Sequence, residues 1–131
     1  MKRVRVRVIS PGRVEGEALV SREPINFYLG VDAGRGVVVE TGHELEGKCL
    51  KDKILVFPRG KGSTVGSYVI YALKKNGVAP LAMINEETDV VVAAGCILAS
   101  IPCVDGAKVS QFRSGEKVLV DAEKGFVLTR S

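Results

Sequence analysis

Tryptophan is absent from this 131-residue chain, and only three tyrosines and four phenylalanines make up its aromatics. Binders of single-stranded nucleic acid stack bases on aromatic platforms, so that class is poorly supplied here. Cysteine is scarce as well: Cys49, Cys96 and Cys103 are odd in number, widely spaced and free of any Cys-x-x-Cys pair. The pattern argues against a disulfide framework and against a metal site carried by this chain alone. Cys96 and Cys103 lie among Ala, Ile, Leu and Val, where a free thiol serves as a small hydrophobe. No apolar run reaches the ~20 residues of a membrane span, and the longest, Val90–Ala99, is about half that length. The start of the chain alternates cations with valines instead of running apolar like a signal peptide, so a cytoplasmic location is expected. No repeat, low-complexity tract or linker interrupts the chain, and residues 1–131 read as a single domain.

Hydrophobic residues make up 46% of the sequence, which excludes disorder as the overall state. A chain of this length buries a core without disulfides or metal. Nineteen Lys and Arg against fifteen Asp and Glu leave a formal charge of +4. That balance suits an anionic ligand or an acidic partner surface and is too mild to indicate nucleic acid.

Residues 2–9 predict a strand with Arg3, Arg5 and Arg7 on a solvated face and Val4, Val6 and Val8 on the other. Ser10-Pro11-Gly12 predicts a turn, and β-like runs follow at Glu17–Val20, Gly36–Glu40 and Lys53–Phe57. Thr64–Lys75 carries the clearest helical pattern, with Val65, Tyr68, Val69, Ala72 and Leu73 forming one apolar stripe. Ser63 is placed to cap it, Asn76-Gly77 to end it, and Lys74 and Lys75 to complement its dipole. Pro80–Asn85 predicts a strand, and Asp89–Ser100 a buried helix capped by Asp89 and stopped before Pro102. Lys117–Asp121 and Gly125–Thr129 predict a closing hairpin. Many short strands with two main helices in the second half describe a β-rich, layered α/β domain. They lack the regular βαβ alternation of a dinucleotide-binding fold.

The chemistry concentrates between Pro58 and Ser67, where a hydrophobic strand runs into the first helix. Gly60 and Gly62 allow close backbone approach, and the helix start offers unpaired N–H groups and the positive end of a dipole. Arg59 and Lys61 add full charges, and Ser63, Thr64 and Ser67 add hydroxyls. Together they suit a carboxylate or phosphate. The segment is not a P-loop, because Gly62 follows Lys61 where a hydroxyl residue is required. It is not a nucleophile elbow either, because Gly-x-Ser-x-Gly is missing around Ser63.

Gly60-Lys61-Gly62-Ser63-Thr64, preceded by Leu55-Val56-Phe57-Pro58, resembles the swivel-domain loop of the aconitase superfamily, and more closely the small subunit of the aconitase X group. The likeness continues through Gly12–Ser21, Gly30-Val31-Asp32, Thr41-Gly42-His43, Asn76–Pro80, Ile101–Asp105 and Gly115–Asp121. The resemblance implies a three-layer swivelling β/β/α domain and a two-chain hydro-lyase, active only as a heterodimer with its large subunit. It implies a [4Fe-4S] cluster on that large subunit and no cofactor on this chain. Ser63 takes the place of the serine that accepts a proton from substrate. Arg59, Gly60, Lys61, Gly62, Thr64 and Ser67 are then the candidate anion-binding residues, and the loop is most similar to members acting on a small phosphorylated hydroxy acid. Classical aconitases carry an arginine where this chain has Val65, which weakens the case for citrate-like substrates. No nucleic-acid or membrane partner is expected. The alternatives are a related dehydratase acting on hydroxyproline, and a stand-alone anion- or RNA-binding module using the Arg3/Arg5/Arg7 face. His43, the sole histidine, is open to a structural or a catalytic role. Asp32 and Asp105 are expected to fix loops or line the interface rather than act as acids.

Overall fold

A computed structural model describes residues 1–130. The first strands are β1 (Lys2–Arg5), β2 (Arg7–Ser10) and β3 (Arg13–Val20). Short elements follow: β4 (Ile25–Asn26), α1 (Phe27–Gly30), β5 (Val31–Asp32) and β6 (Val37–Val38). The centre of the chain forms β7 (Lys53–Val56), β8 (Gly60–Lys61), α2 (Gly66–Lys75), β9 (Ala82–Asn85), α3 (Val90–Ala99) and β10 (Cys103–Asp105). A 3-10 turn at Val109–Gln111 leads to the hairpin β11 (Lys117–Asp121) and β12 (Phe126–Thr129).

Eight strands make one sheet in the order β1-β12-β11-β3-β7-β9-β10-β2. Its two end strands are consecutive in the chain, separated only by Val6, so the sheet closes on itself there. The expected strand over residues 2–9 is therefore split: β1 pairs with β12 and β2 with β10, both antiparallel. Val6 makes the corner, its N–H donating to the Gly125 carbonyl at 3.0 Å.

Period-2 alternation then sorts side chains to opposite faces. Ile54, Val56, Ala82, Ile84, Val104, Val118, Val120 and Val127 fill the space enclosed by the sheet. Leu55, Phe57, Met83 and Cys103 face the other way, into a second core with Ile70, Leu73, Val92 and Cys96 of the helices. Two β layers and one α layer result, as the resemblance implied.

β3, β7, β9 and β10 are mutually parallel, with α2 and α3 as the crossovers between β7, β9 and β10. A βαβαβ unit thus sits inside a mixed sheet, in which β3 also pairs with β7 in parallel and the other pairs are antiparallel. The sequence hides it because β10 is only three residues long and ends in a charged residue. The helices cross where a Cβ on Gly95 would stand 2.7 Å from Ile70 Cδ1, so glycine permits the contact.

Three expectations need correction. The first main helix begins at Gly66, two residues later than read, after a turn at Thr64-Val65. Its buried face runs through Gly66, Ile70 and Leu73. Tyr68 and Val65, assigned to the stripe, are exposed at 69% and 43%. The run Gly36–Glu40 shrinks to β6, which pairs with β5 and bridges to Cys49. The second helix agrees with its reading: Asp89 Oδ2 accepts from Val91 and Val92 N–H.

Candidate functional site

β7 is followed by the buried pair Phe57-Pro58, and the chain leaves the core at the strand's carboxyl end. Parallel strands characteristically present ligand-binding loops at that end. Gly60-Lys61 pairs in parallel with Ile25-Asn26, so the loop is held as a short strand on α1's entry segment. Gly60 is glycine because a Cβ would stand 2.7 Å from Val92 Cγ2 and 3.0 Å from Asp89 Oδ1. Its N–H donates to Asp89 Oδ1 at 2.7 Å, so that donor is spent within the protein. Gly62 turns the chain at φ +93°, and a Cβ there would strike the Asn26 carboxamide at 2.7 Å.

Ser63 follows on the surface. Its Oγ accepts from Val65 N–H at 3.2 Å, which corrects its role: it caps the Thr64-Val65 turn, not α2 itself. The other hydroxyls differ. Ser67 Oγ donates to the Val91 carbonyl at 2.7 Å and ties α2 to α3, while Thr64 is exposed. Arg59 is exposed, with no ion pair among the described residues, whereas Lys61 Nζ lies 3.5 Å from Glu40 Oε2. The loop's uncompensated charge is therefore that of Arg59.

An apolar collar from α1, α2 and α3 borders this polar centre. Leu29, Tyr68, Val90, Ile97 and Leu98 are each more than half exposed. Tyr68, Ile97 and Leu98 line an open groove of about 560 Å³ together with Thr64 and Ser67.

The remaining polar residues serve the fold. His43 is buried; its Nδ1 accepts from Leu45 N–H and its Nε2 then donates to the Pro24 carbonyl. Asp32 closes its own turn through Gly34 and Arg35 N–H and the Arg35 guanidinium, which with those N–H groups holds its carboxyl below the usual range. Asp105 meets Arg7 in a two-bond pair at 2.9 and 2.7 Å and accepts from Thr88 N–H. Partial burial pushes that carboxyl up, but Arg7 and Thr88 outweigh it and hold it below the ordinary value. Sequence reasoning passed over Asn26 and Asp89 as loop supports, because their partners lie 29 or more positions away and only pairing in space joins them.

The cysteines do not fit an iron–sulfur cluster. Cys49 is exposed, while Cys96 and Cys103 are buried in the helix-side core. The neighbouring Cys103 thiol and burial push the Cys96 thiol well up, away from the thiolate a cluster requires. On the basic face, Arg3 stacks on the Phe126 ring at 4.0 Å and Arg7 is committed to Asp105, so two of three cations are engaged. Among the described residues no helix is long and apolar enough to cross a membrane.

The model of the aconitase X swivel domain matches residues 3–129. A protein of Thermococcus sibiricus named phosphomevalonate dehydratase small subunit is 54% identical over 125 residues, covering 95% of this chain and 96% of that one. A protein of the same name from Methanosarcina acetivorans is 53% identical, with 92% and 86% covered. The crystal structure of Thermococcus kodakaraensis aconitase X in its holo-form superimposes with a TM-score of 0.97 at 50% identity, over the full length of both chains.

Proposed function

The chain belongs to the aconitase X swivel-domain family, and from that premise we propose that it is the small subunit of a phosphomevalonate dehydratase, supplying Ser63 as the proton acceptor. One observation carries the reading: identity of about half runs along nearly the whole length of relatives bearing that name. The hydroxyproline alternative finds no support among them. Against the RNA-binding alternative, two of the three cations of that face have partners within the protein, Arg3 over Phe126 and Arg7 with Asp105.

The substrate, (R)-5-phosphomevalonate, is a 3-hydroxy acid phosphorylated at its far end, and its dehydration gives trans-anhydromevalonate 5-phosphate. The C–H bond beside the carboxylate breaks, its electron pair forms the double bond, and the hydroxyl on the next carbon departs. Ser63 takes the proton. A serine does this as an alkoxide, entering as the anion and leaving as the hydroxyl, so its negative form needs support. Val65 N–H already donates to that oxygen, and hydrogen bonding to a charged form favours it. Arg59, free of any protein anion among the described residues, supplies charge nearby and binds an anionic group of the substrate. Lys61, with its charge offset by Glu40, contributes less.

An exposed base is a weak one, because water solvates the alkoxide and levels its basicity. The apolar collar supports a covering partner, the large subunit, whose docking excludes water and strengthens every interaction inside. The [4Fe-4S] cluster belongs to that large subunit in this reading, and the heterodimer acts in the cytoplasm. Co-expression with the large subunit and assay on (R)-5-phosphomevalonate tests the proposal. Stoichiometric formation of trans-anhydromevalonate 5-phosphate is expected, and turnover of hydroxyproline instead would overturn it.

A further inference from the structure

Asn26 stands directly beneath the turn that presents Ser63. In the parallel pair of β4 and β8 it is the register partner of Lys61, which places it one step from Gly62. A Cβ on Gly62 would stand 2.7 Å from Cγ, Oδ1 and Nδ2 of Asn26 alike, so the turn lies flat on the carboxamide. The orientation of that amide is fixed by its partners. Oδ1 accepts from Tyr28 and Leu29 N–H, each at 3.1 Å, which no NH2 group is able to do. Two backbone donors of α1, those of Tyr28 and Leu29, are therefore spent on Asn26. Its own Nδ2, with two protons, has no partner among the described residues. The residue is half-buried, so this donor is held at the site surface by a carbonyl that is locked in place.

We propose that Asn26 is a further substrate-contacting residue, whose Nδ2 donates to the substrate carboxylate next to the carbon that Ser63 deprotonates. The inference rests on the dehydratase reading above. As the proton leaves, negative charge accumulates on that carboxylate, and a preorganised uncharged donor stabilises the added charge without itself giving up a proton to the alkoxide. Charge on Arg59 is then left to the more distant phosphate.

Asn26→Asp separates this role from a structural one, because aspartate caps α1 as well as asparagine does but replaces the donor with an anionic oxygen. In the assembled enzyme the melting temperature should hold while kcat falls by about 100-fold, the range for loss of one such donor. Asn26→Ala, which loses the cap as well, should lower both. Wild-type kcat in Asn26→Asp would overturn the assignment and leave the dehydratase reading intact. If the wild-type complex fails on phosphomevalonate, that reading falls, and a second measurement decides on Asn26. With 15N-asparagine in this chain, the Asn26 side-chain NH2 signals should shift when 3-hydroxy-3-methylbutyrate is added to the complex. A shift with inorganic phosphate but not with that carboxylate, or with neither, would overturn the proposal.

Discussion

Gly60 N–H and Asp89 Oδ1 lie 2.7 Å apart, which joins the loop leaving β7 to the first turn of α3. The same carboxylate accepts from Val91 and Val92 N–H, so one side chain caps a helix and anchors the candidate site. Asp89→Ala should cost about 2–4 kcal/mol, the sum of a lost cap and a buried N–H left without a partner. Asp89→Asn keeps a single acceptor oxygen, enough for the cap or for Gly60 N–H but not for both, so it should recover only part of it. Urea unfolding of the three proteins provides the measurement, and equal midpoints for Ala and wild type would show the bond to be idle.

Ser63→Ala removes an exposed hydroxyl that supports one turn N–H and no helix cap. Its stability change should stay within about 0.5 kcal/mol, as for other surface positions. Turnover of the assembled enzyme should nevertheless fall by ~100-fold or more, the lower range for positioned proton transfer. Steady-state kinetics beside a melting curve separates the two effects. Near-normal turnover would return Ser63 to the turn and move the search to Thr64 or the partner chain.

Arg59 and Lys61 should not be equivalent. Removing Arg59 breaks no ion pair among the described residues, so Arg59→Ala should melt like the wild type. Loss of one charged hydrogen bond to substrate should lower kcat/KM by about 10- to 100-fold. Lys61→Ala should lose less, because Glu40 already offsets its charge. The salt dependence of KM should also flatten in Arg59→Ala, since screening acts on the free charge. Equal losses in the two variants would contradict this division.

Asp105 gives the fold a pH dependence of known sign. Its carboxyl is held below the ordinary value, so the folded state binds its proton less readily than the unfolded chain. The stabilisation is thus complete above about pH 4, the unfolded value, and is lost as pH falls through the lower folded one. Asp105→Asn should be less stable than wild type near neutrality, and the gap should narrow as the solution is acidified below about pH 4. Urea midpoints across that range report it, and a gap independent of pH would mean the Arg7 pair contributes nothing.

Local chemistry was legible without coordinates. The hairpin at the end of the chain, the capped helix after Asp89 and the two buried cysteines follow from alternation, an N-cap and apolar surroundings, all of which act over a few residues. The cluster of Arg59, Lys61 and Ser63 at a strand-to-helix passage was equally plain, because adjacency in sequence guarantees adjacency in space. What the chain alone left undecided depends on pairing between distant segments. Whether Val65 and Tyr68 are buried turns on how α2 rolls against Gly95 and Ile70, and a shift of one residue in a helix rotates its face by about 100°. Which cation is free turns on Glu40 reaching Lys61, and which donors remain open turns on Asp89 taking Gly60 and Asn26 lying under Gly62. The closure at Val6 is of the same kind: one strand's worth of sequence serves both ends of the sheet, and only the register of β12 and β10 decides where it divides.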